Sequence, residues 1–265
     1  MELVWSSEKL HVNLRHIRRL NMESNLQLDI LVITVHPDDA ELGCGGTILK
    51  HVALGHRVGI VDLTRGELGT RGTAETRMVE ASHAAELLGV SVRENLEMRD
   101  GFFRNDETHQ LKVVQAIRKY RPEIVITNAL HDRHPDHGRA GELVNDAVFL
   151  AGLRKVRTTA EGGEQDAHRP RLLLQLIQDQ YIKPDIVVDI SDHWEQKIAA
   201  IKAFASQFHN ERYAKDEPET YISKPDFLQY IEGRAREYGK YIGAKYGEGF
   251  TCRRLLGVDN LFALK

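Results

Sequence analysis

The chain has 265 residues, a formal net charge of −3, 28% charged residues and two cysteines, which fits one α/β domain with a sizeable core. It offers no basic stripe for nucleic acid, and no apolar run reaches the length of a membrane span. Two cysteines cannot build a secreted disulfide framework, so the reducing cytoplasm is the expected setting.

Residues 1–21 stand outside the pattern that follows. The stretch 10–19 is basic and weakly amphipathic, without the apolar core and cleavage site of a signal peptide, and Met22 makes a natural start. The expectation is an N-terminal extension over 1–21, disordered or loosely helical, ahead of a single domain over 22–265. The first clear element is Leu28-Asp-Ile-Leu-Val-Ile-Thr-Val35, where six of eight residues are Leu, Ile or Val. Such a run reads as a strand buried on both faces of a parallel sheet. It ends at His36-Pro37-Asp38-Asp39, and open α/β folds place their ligands at the carboxyl ends of strands. Pro37 stiffens the turn by fixing its own φ and pushing His36 towards extended geometry. An imidazole and two carboxylates within four residues suit a divalent metal with a carboxylate left over as base. An Asp here also serves as an ordinary helix cap.

Residues 43–55 then read as a helix with small residues, Cys44 among them, against the sheet. Residues 57–64 form a second strand, and 65–72 a glycine-rich loop at the same edge. A helix over 74–88 is closed by Gly89. Residues 95–98 are a short strand running into Asp100-Gly-Phe-Phe103, and 111–120 a helix stopped before Pro122. A fourth strand, 123–128, leads into His131-Asp-Arg-His134-Pro-Asp136-His137-Gly138, which holds three of the thirteen histidines. Histidines gathered directly after an apolar strand read as ligands rather than surface scatter. A zinc site that does chemistry takes three protein ligands and keeps one position open, so this cluster supplies what the first motif lacks.

From Gly138 a helix runs to about residue 153, followed by a polar loop over 157–170. Residues 172–178 and 185–190 are further strands. Asp192-x-x-Glu195 has the form of a capping box for a helix over 194–208. Residues 215–219 read as a solvated loop, and a last helix over 226–246 puts Phe227, Ile231, Tyr238 and Ile242 near one face. The alternation predicts a Rossmann-like α/β fold: a parallel sheet, helices on both faces and a C-terminal strand and helix elaboration.

His36-Pro-Asp-Asp39 together with His134-Pro-Asp-His137 resembles the paired motifs of the LmbE/PIG-L family of zinc-dependent N-acetylglucosaminyl deacetylases. The likeness continues in Gly43-Cys-Gly-Gly46, Arg77-x-x-Glu80, Asp100-Gly-Phe102 and Tyr246-Gly-Glu-Gly-Phe250, and spans about residues 28–252. It is nearest to the bacillithiol-pathway branch, which deacetylates N-acetylglucosaminyl malate. The resemblance implies a Rossmann-like fold, a small N-acetyl sugar as substrate and a homo-oligomer, a hexamer in relatives. It implies metal ligands at His36, Asp39 and His137, a general base at Asp38 and a second catalytic histidine at His134. Zn²⁺ is the implied ion, and imidazole–carboxylate ligation suits Fe²⁺ as well. One departure is visible: Ala40 stands where the family motif often carries Glu, with Glu41 following.

Further roles follow from the chemistry of amide hydrolysis. A protonated His134 would stabilise the oxyanion, with Asp136 setting its tautomer or raising its pKa. Arg77 falls in the first turn of the helix over 74–88, where the helix dipole disfavours a cation. It matches a substrate-contacting arginine of the resembling family, and a guanidinium fork can hold a malate carboxylate. Tyr221 is a second candidate for that pocket. One rival is a nucleotide-binding Rossmann protein built on Gly43-x-Gly45-Gly46 and Asp62, against which His-Pro-Asp-Asp fills the turn a pyrophosphate needs. The other is a non-enzymatic binding protein, against which no site group is missing.

Overall fold

The computed structural model describes residues 26–160, 163–210 and 217–264. The expected extension over 1–21, Met22, and residues 215 and 216 of the expected loop lie outside the described residues. The strands are β1 (Ile30–Thr34), β2 (Val58–Thr64), β3 (Val92–Met98), β4 (Ile124–Thr127), β5 (Thr159–Ala160), β6 (Gly163–Glu164), β7 (Leu172–Leu176), β8 (Ile186–Asp189) and β9 (Gly247–Thr251). The helices are α1 (Asp39–Ala53), α2 (Ala74–Leu88), α3 (Glu107–Tyr120), α4 (Pro135–Ala151), α5 (Trp194–Lys202) and α6 (Phe227–Tyr241).

The main sheet runs β3-β2-β1-β4-β7-β9-β8. The first five of these are mutually parallel, and β9 enters antiparallel to both β7 and β8. All five residues of β1 are buried. Leu31 and Ile33 pack on one face with Val113, Ile117, Leu143 and Val144 of α3 and α4. Ile30 and Val32 pack on the other with Ala40, Cys44 and Ile48 of α1. Each such side chain contributes about 1.5–3 kcal/mol through burial, which is why the strand carries no polar alternation. From β1 the chain moves outward to β2 and β3 on one side, and later to β4 and β7 on the other. That reversal is a topological switch point, and it sets the carboxyl ends of β1 and β4 side by side.

Several elements differ from the expectation in instructive ways. The first helix starts at Asp39, inside the metal-type motif, and is kinked at Cys44 (φ −146°, ψ 22°). Its second segment opens with the N–H groups of Gly46 and Thr47 donating to Glu248 Oε1 and Oε2 at 2.9 and 2.6 Å. Lys197 Nζ, 2.6 Å from Glu248 Oε1, balances that buried carboxylate. A Cβ at Gly46 would lie 2.7 Å from Ile190 Cδ1, so the glycines here serve close helix–sheet approach. The helix expected from Gly138 begins at Pro135, with His134 as its cap. The polar loop over 157–170 contains the hairpin β5–β6.

No side chain caps α5: a 3₁₀ turn, Ser191–His193, leads into it, and α5 ends at Lys202 rather than 208. The expected Asp192 capping box does not form, because the residue at the N-cap is His193; Ser191 N–H and Oγ donate to Asp189. The last helix stops at Tyr241 rather than 246, and strand β9 begins at Gly247. Among the described residues, no helix is long and apolar enough to cross a membrane.

Candidate metal and catalytic centre

The turn after β1 and the turn into α4 meet at the switch point. His36 Nδ1 lies 3.7 Å from Asp39 Oδ2, and His137 Nε2 lies 3.2 Å from Asp39 Oδ1. The far nitrogen of each ring is held by a different carboxylate: His36 Nε2 by Asp100 Oδ1 at 3.0 Å, His137 Nδ1 by Asp132 Oδ2 at 2.6 Å. Asp100 is itself fixed by Leu68 N–H at 3.1 Å, and Asp132 by Gln180 N–H at 2.7 Å. Nitrogens of His36, His134 and His137 all fall within 4.8 Å of one another, as do donor atoms of His36, Asp100 and Asp136.

The electrostatics favour positive charge at this point. Burial opposes a charged His36, yet hydrogen bonds to Asp100 and Asp136 and the Asp39 charge lift it to about 10. Burial likewise opposes a charged His137, but Asp39 and Asp132 raise it to about 9. Burial opposes an ionised Asp39 as well, and the facing histidines overcome it and hold the carboxyl far below the usual range. An imidazole–carboxylate donor set, with each imidazole backed by a second carboxylate, is the arrangement that orients histidines on a metal. The residues present therefore fit a divalent ion.

Asp38 stands beside this group in a strained backbone, φ 133° and ψ −23°, and its side chain makes no cap bond to α1. Burial pushes its carboxyl up to about 7, against the lowering pull of Arg77. Arg77 is buried and does not present its guanidinium to an open cleft. Its Nη2 donates to Pro37 O at 2.7 Å and Asp38 Oδ2 at 2.9 Å, and its Nη1 to Gly66 O at 3.3 Å. A Cβ at Gly66 would lie 2.0 Å from Arg77 Nη1, so that glycine clears the path to Asp38. The guanidinium expected to meet a malate carboxylate is engaged on the Asp38 turn. Glu80, on the same helix, accepts from Ser206 N–H and Oγ.

His134 caps α4, with its Nδ1 accepting from Asp136 N–H at 3.3 Å. Burial and the neighbouring His36 and His137 lower its pKa, which works against the expected cation. The Asp136 charge raises the His134 pKa, as expected, but its carboxylate makes its hydrogen bonds elsewhere. It accepts from Gly101 N–H at 3.0 Å and Arg139 Nη1 at 2.7 Å, and lies 3.7 Å from His36 Nε2. Asp136 therefore ties α4 to the Asp100–Gly101 turn, and His134 receives its orientation from backbone. Tyr221 is 45% exposed, with the Arg133 guanidinium 4.7 Å over its ring and Phe227 edge-on at 5.6 Å. That places it next to the residue preceding His134, on the surface rather than in the core.

Asp100 and Asp132 carry no role in the reading from sequence. The signal is present in position: one follows β3, the other sits inside the second histidine cluster, both at the sheet's carboxyl edge.

A family model described as PIG-L, GlcNAc-PI de-N-acetylase, matches residues 31–148. A diacetylchitobiose deacetylase from Thermococcus kodakarensis is 33% identical over 242 residues, covering 87% of this chain and 85% of its own. A 4-oxalmesaconate hydratase from Pseudomonas putida is 30% identical over 219 residues, covering 75% and 80%. Among solved structures, the conserved protein TT1542 from Thermus thermophilus superposes with a TM-score of 0.77 at 37% identity. That match covers 88% of this chain and 98% of the other.

Proposed function

Because this chain belongs to the PIG-L family of de-N-acetylases, we propose that it is a metal-dependent hydrolase that removes the N-acetyl group from an N-acetylglucosaminide. The observation that carries the reading is the pair of imidazoles, each with one nitrogen towards Asp39 and the other on a separate carboxylate. His36, Asp39 and His137 would hold the ion, a set that suits Zn²⁺ and Fe²⁺. Such an ion, when bound, supplies Lewis acidity towards the amide carbonyl and lowers the pKa of a water.

The remaining steps belong to the protein's own groups. Arg77 holds Asp38 by Oδ2, which leaves Oδ1 to take a proton from the attacking water and return it to the departing amine. A carboxyl raised to about 7 both accepts and gives back a proton near neutral pH. His134, with Nδ1 engaged as an acceptor, carries its proton on Nε2 and donates it as a hydrogen bond to the developing oxyanion. Asp136 holds the Asp100 turn behind His36, and Tyr221 at the rim meets the part of the substrate beyond the acetylated sugar. The same reading takes the protein as a cytoplasmic homo-oligomer, a hexamer by family resemblance, with one domain over 22–265.

Among glycosides, an uncharged partner such as the second sugar of diacetylchitobiose is favoured over the malate of N-acetylglucosaminyl malate. The arginine expected to grip malate is already committed to Asp38. The similarity to a hydratase supports a second reading, hydration of 4-oxalmesaconate at the same centre. The test is amine release from diacetylchitobiose, N-acetylglucosamine and N-acetylglucosaminyl malate, beside 4-oxalmesaconate hydration, using chelated protein reloaded with defined metals. Metal-dependent amine release is expected. Hydration without amine release would replace the first reading by the second.

A further inference from the structure

Two buried amide side chains stand behind Asp39. Asn128 directly follows β4 and Gln178 lies just beyond β7, so both reach the carboxyl edge of the sheet beside β1. Asn128 Oδ1 accepts from Val35 N–H at 2.9 Å, and its Nδ2 donates to Asp39 Oδ2 and to Gln178 Oε1, both at 3.0 Å. Gln178 Oε1 also accepts from Ala129 N–H at 3.1 Å, and its Nε2 donates to Asp39 Oδ1 at 3.0 Å. The backbone N–H groups are donors only, so neither amide can be flipped without losing a bond.

From this geometry we infer that Asn128 and Gln178 form an amide clamp that presets Asp39 as a one-oxygen metal ligand. It rests on the metal reading proposed above. Asp39 Oδ2 accepts from His36 N–H at 3.0 Å as well as from Asn128, which fills both of its lone-pair directions. Asp39 Oδ1 takes one bond from Gln178 and keeps one direction, the one facing His137 Nε2. A carboxylate held this way spends a single position on the ion, and an open position is what chemistry at such a site requires. The choice of amides also has a reason. Lys or Arg would satisfy Asp39 equally well but would set a fixed positive charge against the ion, whereas an amide donates without charge. The clamp further spans the two motifs, since Val35 precedes His36 and Ala129 leads towards the second histidine cluster.

The test is zinc affinity, measured by competition with a chromogenic chelator, for the native protein, Asn128→Leu, Gln178→Met and His137→Ala. Metal-free melting temperatures are recorded for each, and the visible spectrum is taken after cobalt substitution. Both amide variants are expected to bind zinc about 10–100-fold more weakly. Cobalt in Asn128→Leu is expected to absorb less strongly, because the released Oδ2 raises the coordination number. Gln178→Met, an unbranched replacement, decides the matter if Asn128→Leu melts early. Affinity within twofold of native in both folded variants overturns the clamp, and a weaker site with an unchanged cobalt spectrum overturns its one-oxygen part. If His137→Ala keeps its zinc, the ligand assignment fails instead, so the two failures are told apart.

Discussion

Replacing Arg77 with Leu removes three hydrogen bonds at once, two of them to the Pro37–Asp38 turn. A hydrogen bond to a charged partner contributes about 1.5–3 kcal/mol, and the φ of 133° at Asp38 stores on the order of 1–3 kcal/mol that those bonds help to retain. Once released, Asp38 relaxes away from the geometry in which its free oxygen meets a water. Loss of about 1.5–3 kcal/mol from the transition state corresponds to a turnover roughly 10–150-fold lower, with KM little changed. The assay is steady-state amine release, with kcat and KM determined separately and bound metal measured in the same samples. Metal content stays at the native value, because Arg77 touches none of His36, Asp39 or His137. Arg77→Lys restores part of the loss, since one ammonium reaches one of the two acceptors. A raised KM with native kcat would show that Arg77 contacts substrate, and would refute the positioning role drawn from these distances.

Asp38→Asn is expected to keep its metal yet lose turnover by about 10² or more, the scale of a general base, as read by the same assay with metal analysis. Chelation should abolish activity and one divalent ion per chain restore it, whereas His137→Ala should neither retain nor regain the ion in equilibrium dialysis. Lys197→Met leaves Glu248 as a buried carboxylate without its cation, a loss of about 3–5 kcal/mol. In a chain of this size that lowers the melting temperature by about 10 °C in calorimetry, and an unchanged melting point would show that Glu248 is satisfied by Gly46 and Thr47 alone.

The parts of the fold legible in the sequence are those whose local chemistry is complete in itself. The helix over 74–88 has the expected ends because Thr73 caps its start and Gly89, at φ 69°, closes it. Strand β1 is evident because both of its faces are buried. The start of α4 is hidden because the cap is a histidine, a residue that capping preferences do not flag. Strand β9 is illegible because Gly247-Glu-Gly249 has poor strand propensity, and its stability comes from tertiary contacts: pairing with β7 and β8, Phe250 in the core, and Glu248 on Lys197, Gly46 and Thr47. Within the site, the paired motifs announce themselves by residue type and spacing. The burial of Arg77 and the direction taken by Asp136 do not, because both depend on which loops the sheet order brings together. A helix position shows that an arginine is near the cleft, not that a glycine in another loop opens its way to Asp38.

The Glu248 contact with α1 spans 202 residues of chain. On the ribosome, the turn that carries His36 and Asp39 emerges long before the carboxylate that anchors the helix behind it. Contacts of such separation close late, after the local ones have formed. Both histidine motifs are therefore synthesised before the carboxylate on which the second segment of α1 is seated. A chain cut short before β9 would lack the acceptor for the Gly46 and Thr47 N–H groups, so the seating of the helix behind the centre depends on the far end of the domain.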